Sequence, residues 1–173
     1  HAEKVTLAVT DETLRDWVEN DQPESTLEKG EREMIYSIFR FSETMAKEIM
    51  VPRMDVLALD VNTTISEARR EFIKAGHSRV PVYEDTIDNV VGLLYAKDLL
   101  AVVDGSDTIA AQRRLLRQAY FVPEAKKVDE LLAEMQSRGV HMVLVVDEYG
   151  GVAGVVTLED IVEEIVGEIR DEY

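Results

Sequence analysis

Gly154-Val155-Val156-Thr157-Leu158-Glu159-Asp160 reads as the end of a buried strand turning straight into a helix. Val152 to Val156 is apolar-rich and suits a strand covered on both faces. Thr157 can cap the helix with its hydroxyl, and Asp160 comes next in the first turn. The chain contains this pattern twice. Gly92-Leu93-Leu94-Tyr95-Ala96-Lys97-Asp98 repeats the order, with Gly and Asp six residues apart in both copies (98 − 92 and 160 − 154).

The repeat extends outward from there. Ile65-Ser66-Glu67-Ala68 matches Val128-Asp129-Glu130-Leu131 at an offset of 63, and Gly76 matches Gly139 at the same offset. Gly92 and Asp98 match Gly154 and Asp160 at an offset of 62, so one residue differs in the intervening turn. A period near 60 residues is an architectural signal. The expected fold is mixed α/β (α+β): two strand-helix-strand-strand-helix repeats packed with pseudo-twofold symmetry. Neither half can bury its sheet alone.

In chain order, Thr10 to Asn20 and Glu31 to Phe41 read as helices, and Asp21 to Thr26 as a linker. This front section reads as a helical lead-in over 1–44, separate from the two repeats, which are placed at 45–107 and 108–173. A short helix holding Met45 and Ile49 ends near Met50, before Pro52. In the first repeat, a strand is expected over Asp55 to Leu59. A helix then runs from the Thr64-Ile65-Ser66-Glu67 capping box to about Gly76. Val80 to Tyr83 contains Pro81 and is expected at a sheet edge or a strand start. Glu84 to Asn89 reads as a turn, Val90 to Tyr95 as a strand, Ala96 to Val103 as a helix, and Thr108 as the cap of a helix reaching Gln118. In the second repeat the strands are Tyr120 to Val122, Met142 to Val146 and Val152 to Thr157. The helices are Val128 to Arg138, ended by Gly139, and Leu158 to about Ile169.

Composition narrows the class. At 46% hydrophobic the chain can bury a core. No apolar run approaches the roughly 20 residues of a membrane span, and no secretory signal pattern is present. Opening on His1 without an initiator Met fits a fragment. The absence of cysteine excludes disulfides and thiolate metal sites and fits a reducing compartment. A net charge of −16 argues against nucleic acid or an anionic lipid surface as partner. The acid is densest from Asp147 to Tyr173, a face that is either simply solvated or meets cations or a basic partner.

The tandem units resemble a pair of cystathionine-β-synthase (CBS) domains over about residues 45 to 167. Glu48-Ile49-Met50-Val51-Pro52-Arg53, Ser78-Arg79-Val80-Pro81-Val82-Tyr83, Val91 to Leu99 and Thr157 to Ile165 are similar to the corresponding segments of the CorC/hemolysin-C-like membrane proteins, a family implicated in magnesium and cobalt efflux. The resemblance implies a regulatory module on the cytoplasmic side of the cell membrane. It implies a transmembrane domain in the same full-length protein, a homodimer formed as a flat disc, and adenine nucleotide, ATP or AMP, as ligand.

Such a ligand needs an apolar slot for its base, an acceptor for its ribose hydroxyls and donors or cations for its phosphates. Asp160 in a first helical turn can accept the ribose hydroxyls, and Thr157 with the helix N-terminus can meet a phosphate oxygen. Val80, Pro81, Val82, Val56 and Val155 are candidate walls for the base. Arg79, with Ser78 beside it, is the first candidate for the phosphates, ahead of Arg53 and Lys97; Mg²⁺ is a candidate companion of the nucleotide. Asp98 is the first-repeat counterpart of Asp160, but Tyr95 stands where the family pattern prefers Ser or Thr. The clefts are therefore expected to be unequal, with Thr157 and Asp160 forming the better one and Tyr95 filling or walling the other.

Thr157 to Asp160 also reads as an ordinary capping box, worth about 0.5–2 kcal/mol without any ligand. A first-turn acid such as Asp98 likewise stabilises a helix dipole by about 0.3–1 kcal/mol. His77 and His141 lack partners at metal spacing and read as hairpin or core-edge residues, and no metal site is expected. Met50 and Met54 read as core or base-slot residues, and Gly150-Gly151 as a hairpin turn without Walker spacing. No nucleophile constellation appears, so the expected module is non-catalytic. The apolar stripe Ile161, Val162, Ile165, Val166 and Ile169 is a candidate dimer seam. Two other readings stand beside nucleotide sensing: a dimerising linker without ligand, and a direct divalent-cation sensor working through the acidic face.

Overall fold

The structure, a computed structural model, describes residues 29–167. The helix expected over Thr10 to Asn20 and the end of the apolar stripe at Ile169 lie outside the described residues. Helix α1 (Lys29–Phe41) leads through α2 (Ala46–Ile49), β1 (Val51–Pro52) and a 3-10 turn (Arg53–Asp55) into the first unit. That unit holds β2 (Leu59–Asp60), α3 (Ile65–Ala75), β3 (Arg79–Glu84) and β4 (Thr86–Tyr95), then 3-10 segments over Ala96–Ala101 and Ala110–Leu115. The second holds β5 (Phe121–Pro123), α4 (Val128–Arg138), β6 (Met142–Val146), β7 (Val152–Thr157) and α5 (Leu158–Val166).

The two units repeat one topology. β2 pairs parallel with β3 and β5 parallel with β6; β3–β4 and β6–β7 are antiparallel hairpins. Each parallel step is bridged by a helix. Thr64 and Glu67 exchange reciprocal bonds at the start of α3. Gly76 and Gly139 end α3 and α4 at φ 71° and 65°, a conformation that costs a residue with a side chain.

The first segment of each unit crosses onto the other unit's sheet. β1 runs antiparallel to β7, giving the order β1-β7-β6-β5, with Val51 opposite Val155. Arg117 likewise lies opposite Leu93 of β4, with both N–H···O distances 2.8 Å. Leu93 and Val155 differ by 62, the repeat offset (155 − 93), so the exchange is mutual. The crossings explain the two repeat glycines. A Cβ on Gly92 would sit 2.9 Å from Leu116 Cβ and 3.0 Å from the Arg117 carbonyl, and one on Gly154 would collide with the Val51 carbonyl.

Three buried clusters hold the molecule together. Leu59, Ile65, Phe72, Val80, Val82 and Leu94 fill the first unit between sheet and helix. Val128, Leu131, Met135, Val143, Val145 and Ile161 fill the second. The opposite faces of both sheets meet in a third cluster of Leu93, Met142, Leu144, Val152 and Val155. Covered on both faces, β6 and β7 read as continuous apolar runs. The described end of the lead-in packs on the second unit: Phe41 belongs to that unit's core.

Several elements depart from the sequence-based expectation. β3 is the central strand of the order β2-β3-β4 although it carries Pro81. Leu93 gives both backbone groups to Arg117, so its pairing with Pro81 is a non-hydrogen-bonded one and the missing N–H faces β2. The parallel ladder accordingly starts only at Leu59 opposite Val82, which reduces the strand expected over Asp55 to Leu59 to two residues. The turn expected over Glu84 to Asn89 contracts to Asp85 at φ 67°, and β4 begins at Thr86. The helix expected to reach Gln118 is a 3-10 segment broken at Gln112 that stops at Leu115, where the chain leaves to lie along β4.

Candidate functional site

β7 delivers Thr157 to the start of α5, where the Leu158 N–H donates to the His141 carbonyl at 2.9 Å and ties the helix to β6. The Asp160 N–H donates to the Thr157 hydroxyl and the Thr157 N–H to Asp160 Oδ2, both at 3.1 Å. One carboxylate oxygen of Asp160 thus holds the turn, and the other carries no hydrogen bond among the described residues. Glu159, next in the turn, stands 3.6 Å from the Arg79 guanidinium of β3, so Arg79 borders this helix start. The Nε of Arg79 is buried and has no hydrogen-bond partner among the described residues.

The equivalent place in the first unit is built differently. The Ala96 N–H donates to the Ser78 carbonyl at 2.9 Å, matching the Leu158–His141 bond. Tyr95 supplies no side-chain cap, and Ala96–Ala101 forms a 3-10 segment rather than the expected α-helix. Asp98, released from capping, accepts two bonds from Arg117, from Nε at 2.9 Å and from Nη2 at 3.1 Å. The Arg117 guanidinium holds the Asp98 carboxyl below its ordinary pKa, and the Arg117 pKa is raised in turn. The Tyr95 ring is bracketed by cations: Arg117 at 4.1 Å from its centroid, Arg79 at 5.2 Å and Lys97 at 5.8 Å.

A cleft of about 480 Å³ opens between the units, lined by Ser78, Arg79, Tyr95, Ala96, Lys97, Arg117, Gly139 and His141. It brings together Ser78, Arg79 and Lys97 of the expected set, and Tyr95 walls it as expected. Thr157 and Asp160 do not line it, although Glu159 between them reaches Arg79 at 3.6 Å. Sequence reasoning missed Arg117 and set His141 aside. His141 carried a usable signal, being the counterpart of Ser78 at the repeat offset (141 − 78 = 63). Arg117 carried none, because its partners Leu93 and Asp98 are chosen by the crossing segment.

The other candidates are dispersed. Val80 is buried in the first unit's helix-side core and cannot wall a base from there; Pro81 lies on the opposite face of β3. Val155 belongs to the central cluster and Val56 packs against it, both facing the junction of the units. Arg53 is tied to Asp88, whose second partner is the Val152 N–H at 3.0 Å, so Arg53 fastens β4 to β7. Its bonds also hold the Asp88 carboxyl below its ordinary pKa. Met50 packs on the second core, but Met54 is 95% exposed on the 3-10 turn and belongs to neither core nor base slot. His77 and His141 are exposed. Among the described residues, no three His, Asp or Glu side chains are grouped to share a metal ion, and no helix is long and apolar enough to cross a membrane.

Comparison with known proteins places this geometry. Residues 46–105 and 113–167 both match the CBS domain. The chain is 40% identical over 160 residues to the magnesium and cobalt efflux protein CorC of Escherichia coli K12, covering 92% of this chain and 53% of that protein. It spans at most about half the length of the curated relatives it matches. A solved CBS domain of the bacterial CNNM/CorC family Mg²⁺ transporter superposes with a TM-score of 0.84 at 41% identity, covering 94% of this chain and 99% of that one. A second, in complex with ATP, superposes with a TM-score of 0.74 at 45% identity over 80% of this chain and 99% of that one.

Proposed function

This chain belongs to the CBS-domain family as a tandem pair of the CNNM/CorC type, and from that premise we propose that it is a non-catalytic regulatory module that binds adenine nucleotide and controls a membrane divalent-cation efflux protein. The observation that carries the reading is the reciprocal Thr157–Asp160 cap with Arg79 beside it. It leaves one Asp160 oxygen for ribose hydroxyls and sets a guanidinium next to the helix start for phosphates. The ATP complex of a 45% identical relative supports the ligand class. In a chain of charge −16, a nucleotide polyanion needs such local cations, or Mg²⁺, to bind. Ligand acts by linkage: it favours the arrangement of the two units that it binds better, and that arrangement is read by the transmembrane domain from the cytoplasmic side.

Exposed apolar residues on the helical side favour a homodimer as the responding assembly. Leu100 and Val103 are 87% and 98% exposed, with Ile73 on α3 and Val162 and Val166 on α5 also open. The test is calorimetric titration of ATP and AMP, with and without Mg²⁺, into the chain and its Asp160→Ala variant, with sedimentation of each sample. The expected result is saturable binding abolished in the variant, and a dimer whose population shifts with nucleotide. No heat at millimolar nucleotide would leave a dimerising linker; a Mg²⁺ response without nucleotide, lost on neutralising Glu163 and Glu164, would leave a direct cation sensor.

A further inference from the structure

The cleft of the first unit differs from a nucleotide site in each of the parts such a ligand needs. Its acidic residue, Asp98, which would accept ribose hydroxyls, is held by two bonds to Arg117. Tyr95, at the position of Thr157, walls the cleft, and Arg117, Arg79 and Lys97 stand 4.1, 5.2 and 5.8 Å from its ring centroid, so cations compete with a base for that ring. The rest of the lining comes from the three cations together with Ser78, His141, Ala96 and Gly139. In a chain with 35 acidic against 19 basic residues, three cations around one cavity are a marked local reversal. Two carboxylates offset them, Asp98 on Arg117 and Glu159 on Arg79, but the second pair is loose at 3.6 Å. Lys97 makes no ion pair among the described residues, and Arg79 keeps a buried N–H unsatisfied. A buried donor without a partner is unfavourable, and a ligand oxygen that reached it would satisfy it.

We propose that this cleft is a second ligand site, taking a compact inorganic polyphosphate such as pyrophosphate and not a nucleoside. Three cations set around a volume of about 480 Å³ match a small multivalent oxyanion, and Asp98, held by Arg117, is not free to take ribose hydroxyls. Occupation of this cleft does not require a nucleotide at Asp160, although the two places share Arg79. Arg79 borders both places, so occupation of one is felt by the other through the Arg79–Glu159 pair.

The test is calorimetric titration of inorganic pyrophosphate into the chain and its Lys97→Gln, Arg117→Gln and Asp160→Asn variants. Saturable binding is expected in the unchanged chain and in Asp160→Asn. It should weaken about tenfold or more in Lys97→Gln and Arg117→Gln, the loss of one charge-assisted bond each. Lys97 is exposed and without an ion pair among the described residues, so its variant keeps the fold and isolates the charge. Three results would overturn the assignment. One is no saturation at millimolar pyrophosphate. Another is undiminished binding in both cleft variants. The third is loss of binding in Asp160→Asn, which would make pyrophosphate a stand-in for the tail of a nucleotide. ATP binding that fails while pyrophosphate binding depends on Lys97 and Arg117 would sink the nucleotide reading and leave this one standing.

Discussion

A single substitution between the repeats, Thr157 against Tyr95, separates two sites that the rest of the pattern makes equal. With a hydroxyl at the end of the strand, the acid three residues on turns back to the backbone and an α-helix starts. Without it, the acid turns outward to an arginine, and the next segment is 3-10. The Asp98–Arg117 pair has a signature in pH. The folded-state pKa of Asp98 is depressed, so the pair's stabilisation is complete above the ordinary aspartate value of about 3.9 and is lost as pH falls through the lower folded value. In a carbon-detected NMR titration, the Asp98 carboxyl should have a midpoint below that ordinary value, moving up towards it in Arg117→Gln. An unshifted midpoint in the unchanged chain would dissolve the pair. Gly154 makes a separate prediction at this scale. Alanine there drives a Cβ into the Val51 carbonyl, so Gly154→Ala should cost about 1–3 kcal/mol, read as a lower melting midpoint. An unchanged midpoint would mean that β1 can move aside.

Among the elements, helices whose ends are set by near neighbours match the sequence reading closely. α4 runs from Val128 to Arg138 and stops at Gly139, and β6 and β7 keep their expected bounds, because a left-handed glycine and apolar runs are local properties. The elements that depart are those defined by a partner across the fold. β3 reads as an edge strand or a strand start because of Pro81, and it is central because the prolyl nitrogen faces the side where β2 has not yet begun. The binding candidates divide the same way. Thr157 and Asp160 were legible as a pair from their spacing. Val80 was not, since its side of the strand depends on which face α3 covers.

For the molecule as a whole, the exchange of crossing segments makes each unit incomplete alone. The second unit's sheet takes β1 from before the first unit's own sheet, and β4 is covered by residues C-terminal to the first repeat. Residues 45–107 expressed alone lack Ile109, Leu115, Leu116 and Arg117, all packed on or paired with the first unit. Neither 45–107 nor 108–167 should give a dispersed amide NMR spectrum alone, and mixing them should restore one. A dispersed spectrum from either half alone would show that the exchange is dispensable. The same coupling suits the proposed nucleotide response, because two units that share strands would not reorient independently on binding a ligand between them.

The repeat, its period, the paired Gly and Asp positions and the Thr64 and Thr157 caps were all readable in the linear chain. Each is a relation among residues within a few turns of one another, or a copy of such a relation. The assembled fold was needed to decide which sheet β1 joins, why Gly92 and Gly154 carry no side chain, that Arg117 captures Asp98, and that Met54 faces outward. Those facts depend on which segments meet across the junction of two similar units. Pairing energies of neighbouring registers are alike in sequence and are separated only by packing of the whole.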